Sequence, residues 1–146
     1  SIWQLRHSVS EANKLHGHSL SHDVAVRTSR VPELIDRCHA VIGNRLPQAQ
    51  PLIVAHIGDG NVHYIVHLTH EAWAQVPDQD QVTQEVMTLV HDEVVKLGGS
   101  FSAEHGIGRK LTREMERLIA PNRLEVMRAV KKLFDPQGRM NPGALL

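Results

Sequence analysis

One segment restricts the fold more than any other. Leu52-Ile53-Val54-Ala55 is an apolar, β-branched run, Gly58-Asp59-Gly60-Asn61 is turn chemistry, and Val62 to Leu68 resumes an alternating apolar pattern. Two such runs around a short Gly/Asp/Asn cluster predict a β-hairpin. With Asp59-Gly60 at the two centre positions of a type I′ turn, Gly58 faces Asn61, Ile57 faces Val62 and His56 faces His63. Opposed residues share a face, with Cβ atoms roughly 4.5–5.5 Å apart. That register brings two imidazoles together.

The remaining chain is read around this hairpin. Ile2, Leu5, Val9 and Ala12 recur at helical spacing, predicting a first helix that ends near Gly17. His22 to Arg27 alternates, with Val24 and Val26 on one face, as a short strand does. Val31, Leu34, Ile35, Cys38, Val41 and Ile42 form a helical stripe with Pro32 in its first turn and Gly43-Asn44 as a stop. After the hairpin, Val82, Val86, Leu89, Val90, Val94 and Leu97 predict a long amphipathic helix halted by Gly98-Gly99. Ser100 to Ala103 reads as a short extended piece, and two helices follow near Leu111–Ile119 and Pro121–Phe134. The order predicts one α+β domain, ferredoxin-like, with an antiparallel sheet covered on one face by helices. A doubly wound fold is disfavoured, because no strand–glycine loop–helix unit leads the chain.

Composition removes several function classes. The 146 residues carry 16 basic and 16 acidic side chains, so no basic surface points to nucleic acid or anionic lipid. No stretch of about 18 apolar residues offers a membrane span. Cys38 is the sole cysteine, which excludes an internal disulfide and a Cys-rich zinc ribbon. A reducing compartment is compatible with this, and a cytoplasmic location is expected. The chain opens on Ser1 with helix-like sequence and no signal peptide, which suggests a piece of a longer protein.

Eleven histidines make metal chemistry worth testing. His56 and His63, held as the hairpin predicts, could converge on one ion at metal–nitrogen distances of roughly 2.0–2.1 Å. The best third ligand is Glu104, within Ser102-Ala103-Glu104-His105-Gly106. Two imidazoles and a carboxylate leave coordination positions open, as a catalytic site requires. His105 would stand beside the ion as a proton acceptor. Gly106 and Gly108 would let the backbone come close. Spacing alone fits equally well two histidines flanking a solvated turn. His16, His18, His67 and His70 are expected at the surface, with His67 on the face of His63. Gly106-Ile107-Gly108 lacks the third glycine of a nucleotide loop. Arg6 and Ser10 lie four residues apart beside Trp3, where a guanidinium and a hydroxyl could clamp a carboxylate. An exposed Arg packing over Trp3 fits the same spacing. Arg109, Lys110 and Arg113 read as a solvated helix start.

Three motifs occur in a telling order: His56-Ile57-Gly58-Asp59-Gly60-Asn61-Val62-His63, Ser102-Ala103-Glu104-His105-Gly106-Ile107-Gly108 and Asp135-Pro136-Gln137-Gly138-Arg139-Met140-Asn141-Pro142-Gly143. With Trp3-Gln4-Leu5-Arg6 and His22-Asp23-Val24, they resemble the carboxy-terminal domain of FAD-linked 2-hydroxyacid dehydrogenases. That family includes D-lactate dehydrogenases, D-2-hydroxyglutarate dehydrogenases and the flavin subunit of glycolate oxidase. The resemblance implies a divalent metal, with zinc the expected ion, held by His56, His63 and Glu104. It implies His105 as the base that removes the substrate hydroxyl proton while the Cα hydride passes to FAD. Arg6, supported by Ser10, matches the position that binds the substrate carboxylate, and Asn141 belongs to a tail that approaches the cofactor. The implied partners are a small 2-hydroxyacid, a FAD-binding domain outside residues 1–146 and an electron acceptor. The whole would then be a piece of a larger flavoprotein. On the residues alone, a zinc-dependent hydrolase using the same His/His/Glu set, or a non-catalytic metal-stabilised interaction module, stays open.

The sequence also departs from that family. Ser21 stands where relatives commonly carry a substrate-binding lysine, Ile65 where an asparagine is frequent, and Arg27 where proline is common. Loss of one cation from a carboxylate pocket removes on the order of 1.5–3 kcal/mol of charged hydrogen bonding. A different or less acidic substrate is the expectation.

Overall fold

The computed structural model describes residues 3, 4, 8 and 15–146. The predicted first helix, and with it Arg6 and Ser10, falls largely or wholly outside the described residues. The chain forms two compact units, Ser1–Glu104 and His105–Leu146.

The first unit is α+β, as its pattern predicts. Strand β1 (Gly17–Ala25) leads through a single 3₁₀ turn into helix α1 (Val31–Arg45). Strands β2 (Gln50–His56) and β3 (Asn61–Thr69) form the hairpin, followed by the short α2 (His70–Ala74) and the long α3 (Gln79–Lys96). The sheet order is β1-β3-β2 with both pairings antiparallel, so the hairpin's second strand is central. An isolated antiparallel bridge from Ser100 to Ala25 lies beside β1, at the start of the predicted extended piece. A βαββα order with a further segment returning beside β1 is the ferredoxin-like plan.

Period-two alternation decides what each sheet face does. On β3, Val62, Tyr64, Val66 and Leu68 point to the helices and are at most 1% exposed. They meet Leu34, Cys38 and Ile42 of α1 and Val86, Val90 and Val94 of α3, each set spaced four residues apart along one helix face. Full burial of each such side chain contributes about 1.5–3 kcal/mol. The opposite face carries Ser19, Ser21 and Asp23 of β1, Asn61, His63, Ile65 and His67 of β3, and Leu52, Val54 and His56 of β2. One face holds the core. The other is free to carry chemistry.

Helix ends follow side-chain chemistry more than the simple stop signals. Asp78 caps α3 by accepting the Gln81 N–H at 2.8 Å, and Thr69 caps α2 from Ala72 at 3.2 Å. Gly98, at φ 70°, ends α3 as expected. By contrast α1 runs through Gly43-Asn44 to Arg45, because Leu46 is buried and sets the turn beyond it.

The second unit contains helices α4 (Thr112–Leu118) and α5 (Pro121–Phe134), close to the predicted spans. Met115 and Leu124 are its buried helical apolar residues. The Leu145 N–H donates to the Gly108 carbonyl at 2.8 Å, so the tail returns to the start of the unit. After α5, the Asp135 carboxylate accepts the N–H groups of Arg139 and Met140 at 2.8 and 2.9 Å. Among the described residues, no helix is long and apolar enough to cross a membrane.

Candidate metal centre

The hairpin forms, but in a different register from the predicted one. His56 opposes Asn61, Val54 opposes His63, and residues 57–60 make a four-residue loop. The reason is conformational. A type I′ turn needs positive φ at both centre residues, and of the loop residues only Gly60 has it, at 79°. The loop closes instead on the His56 carbonyl, which accepts the N–H groups of Asp59 and Gly60 at 3.3 and 3.2 Å. The Asp59 carboxylate accepts the Asn61 N–H at 3.1 Å. Gly60 is held against β1, its carbonyl accepting the Val26 N–H at 3.1 Å.

This slip of two residues leaves both histidines on the same face, since side chains repeat every second residue. His56 and His63 become diagonal neighbours with ring centroids 5.7 Å apart, within reach of long side chains.

Glu104 arrives from the far end of the unit. After Gly99, Ser100 exchanges two backbone hydrogen bonds with Ala25, at 2.9 and 2.8 Å. The Ala103 N–H then donates to the Asp23 carbonyl at 3.2 Å, and the Glu104 N–H to the Asp23 carboxylate at 2.7 Å. Since Asp23 is the cross-strand partner of His63, this path sets Glu104 beside the hairpin histidines. His56 Nε2 lies 3.3 Å from Glu104 Oε1, and His63 Nε2 lies 3.9 Å from Glu104 Oε2. One ligand atom from each of the three residues falls within 4.8 Å of the others. A tetrahedral ion at roughly 2.0–2.1 Å spaces its ligand atoms about 3.3–3.4 Å apart, a spacing the His56–Glu104 pair has at 3.3 Å, and the donor set is of the type that holds a divalent cation. His56 and Glu104 are about half exposed.

His105 and Asn141 belong to the second unit, and Asn141 has a left-handed backbone with φ 47°. His16 and His70 are exposed as expected, but His18 is half-buried and stacks on Trp73 at 4.2 Å. His67 is a correction: it is buried, with Nδ1 3.0 Å from Ser19 Oγ, because Ser19 is its direct cross-strand partner. Gly106 and Gly108 both have positive φ.

Two residues beside this group are not singled out by the sequence patterns. Asp23 has a side chain only 8% exposed, and Asn61, at 3% exposure, donates through Nδ2 to its Oδ1 at 2.9 Å. The available signal was an acid inside an alternating strand, on the face opposite Val24. The family departures also acquire a place. Ser21 and Ile65 are direct cross-strand partners, and Leu52 faces Ile65 from the other side. That row lies one pleat, about 7 Å, from the row of Asp23 and His63.

The family model for FAD-linked oxidases, C-terminal domain, matches residues 1–145. The chain belongs to that family. It is 34% identical over 99% of its length to a D-2-hydroxyglutarate dehydrogenase of Stutzerimonas stutzeri (strain A1501), covering 31% of that protein. The mitochondrial D-2-hydroxyglutarate dehydrogenase of Bos taurus is 30% identical over 99% of the chain, which covers 25% of it. A probable mitochondrial D-lactate dehydrogenase of Danio rerio is 29% identical over 99% of the chain, which covers 29% of it. The chain thus spans about a quarter to a third of these relatives.

Proposed function

We propose that the chain is the substrate- and metal-binding part of a FAD-dependent dehydrogenase that oxidises a 2-hydroxyacid to the 2-oxoacid. The observation that carries this reading is the convergence of His56, His63 and Glu104 within 4.8 Å on the polar sheet face of a chain of this family. A divalent cation there, zinc in the first instance, would supply Lewis-acid polarisation of the substrate oxygens, and FAD would supply the hydride acceptor. The chain's own residues supply the rest. His105, next in sequence to Glu104, is assigned the hydroxyl proton. Arg6 with Ser10 is assigned the substrate carboxylate, and Asn141 the approach to the cofactor. FAD itself is assigned mainly to a domain outside these residues, and reoxidation to an electron acceptor. The cytoplasmic placement belongs to the same proposal.

The substrate assigned is less acidic than a dicarboxylate. Ser21, Ile65 and Leu52 make an uncharged row beside the ligands, with apolar side chains at two of its three positions. A second carboxylate would meet no cation from that row, a difference of roughly 10–100-fold in kcat/KM.

Two measurements test the reading together. Metal analysis of the purified protein should find about one divalent ion per chain, lost in His56→Ala and Glu104→Ala variants. Steady-state oxidation of a 2-hydroxyacid panel by the full-length enzyme should favour monocarboxylates. Zinc-dependent ester or amide hydrolysis without 2-hydroxyacid oxidation would overturn the assignment.

A further inference from the structure

We propose that Asp23 is the positioning residue of this centre, setting two of its three ligands through one carboxylate. The inference rests on the assignment of His56, His63 and Glu104 as the ligands and adds how they are held.

The geometry is specific. One oxygen, Oδ2, accepts the backbone N–H of Glu104 at 2.7 Å, and the Asp23 carbonyl accepts the N–H of Ala103 at 3.2 Å. The ligand-bearing residue is therefore tied to β1 by its main chain, while its carboxylate projects toward the histidines. The other oxygen, Oδ1, accepts Asn61 Nδ2 at 2.9 Å and faces His63 Nδ1 at 3.6 Å. The ring's opposite nitrogen, Nε2, is the one that faces Glu104. At 3.6 Å the Asp23–His63 contact is longer than a formed hydrogen bond. What it determines is which edge of the ring meets the acid. With the Nδ1 edge turned to the carboxylate, the tautomer protonated there is the favoured one, and it keeps the Nε2 lone pair for a cation, the usual role of an outer carboxylate behind a ligating histidine.

Burial supports a fixed role. The Asp23 side chain is 8% exposed, on β1 between β3 and the segment 100–104, with Asn61 buried against it. The Asn61 amide uses a donor on Asp23, which holds the carboxylate plane between Glu104 and His63. The hub joins residues 23, 61, 63 and 104, drawn from β1, β3 and the segment after α3.

Zinc affinity measured by competition with a chromophoric chelator, together with the His63 tautomer read by nitrogen NMR of the metal-free chain, tests this. Asp23→Asn keeps the shape but puts an NH₂ against an N–H donor. It is expected to weaken zinc binding 10–100-fold and to release His63 from the Nδ1–H form. Asn61→Ala should produce a smaller loss, because Asp23 keeps its contact with the Glu104 N–H. Wild-type affinity with an unchanged tautomer in Asp23→Asn overturns the inference while leaving the ligand assignment standing. Wild-type zinc affinity no greater than that of Glu104→Ala overturns the ligand assignment and this inference with it. If Asp23→Asn does not fold, the wild-type spectrum decides: His63 protonated at Nε2 overturns the proposal.

Discussion

Replacing Gly60 by alanine tests the account of how the hairpin aligns its histidines. Gly60 has φ 79°, and an ideal Cβ there would lie 1.9 Å from the Val26 carbonyl oxygen. Left-handed backbone costs a residue with a Cβ about 1–2 kcal/mol. The clash is with backbone, so the loop must withdraw by about 1.5 Å to restore an ordinary contact. Withdrawal breaks the 3.1 Å bond from Val26 N–H to the Gly60 carbonyl. That bond contributes about 0.5–1.5 kcal/mol net. The total is roughly 1.5–3.5 kcal/mol, which lowers Tm on the order of 6–28 °C for a unit of this size. Gly58→Ala is the control. A Cβ on Gly58 meets nothing within 4 Å and its φ is not positive, so its stability should stay within about 0.5 kcal/mol of wild type. Calorimetry reads both variants, and zinc affinity should fall in Gly60→Ala alone, because the loop sets the end of β2, where His56 stands. A Gly60→Ala protein melting within about 2 °C of wild type refutes this account of the turn.

Other outcomes follow from the same structure. Cys38 is 0% exposed and burial pushes its thiol up to about 12, so iodoacetamide should label it only after unfolding; rapid labelling of the native protein, read by mass spectrometry, contradicts the packing. Asp135 is held below its ordinary 3.8 by Lys131 first, then by the Met140 and Arg139 N–H groups. Its stabilisation is complete above that ordinary value and drains as pH falls through the lower native one, so the Tm gap between wild type and Asp135→Asn should close in acid. A gap unchanged at about pH 2 refutes this. The 146-residue chain alone should show no stoichiometric flavin absorbance, since FAD is assigned mainly elsewhere; a yellow one-to-one complex defeats that assignment. In the full-length enzyme, Ser21→Lys with Ile65→Asn should raise kcat/KM for a dicarboxylic 2-hydroxyacid roughly 10–100-fold relative to a monocarboxylic one. No change in that ratio removes the row from substrate choice.

Much of this molecule could be read from neighbouring residues. Alternation in Val62 to Leu68 separates the core side chains Val62, Tyr64, Val66 and Leu68 from His63 and His67, and the four-residue spacing of Val86, Val90 and Val94 marks the buried face of α3. Both patterns are local, so they survive errors of boundary and register. That is why the alternation puts His56 and His63 on one face although their strands align two residues from the expected register. The exact alignment depends on Gly60 packing against Val26, thirty-four residues away, which no local pattern records. The chemistry of Glu104 and its sequence neighbours mark it as a candidate, yet what sets it beside the histidines is the Ser100–Ala25 bridge and the carboxylate of Asp23. Periodicity is written by residues a few positions apart and so lies open in the sequence. Convergence of side chains from distant segments comes only from long-range strand pairing, and the tertiary structure alone decided it.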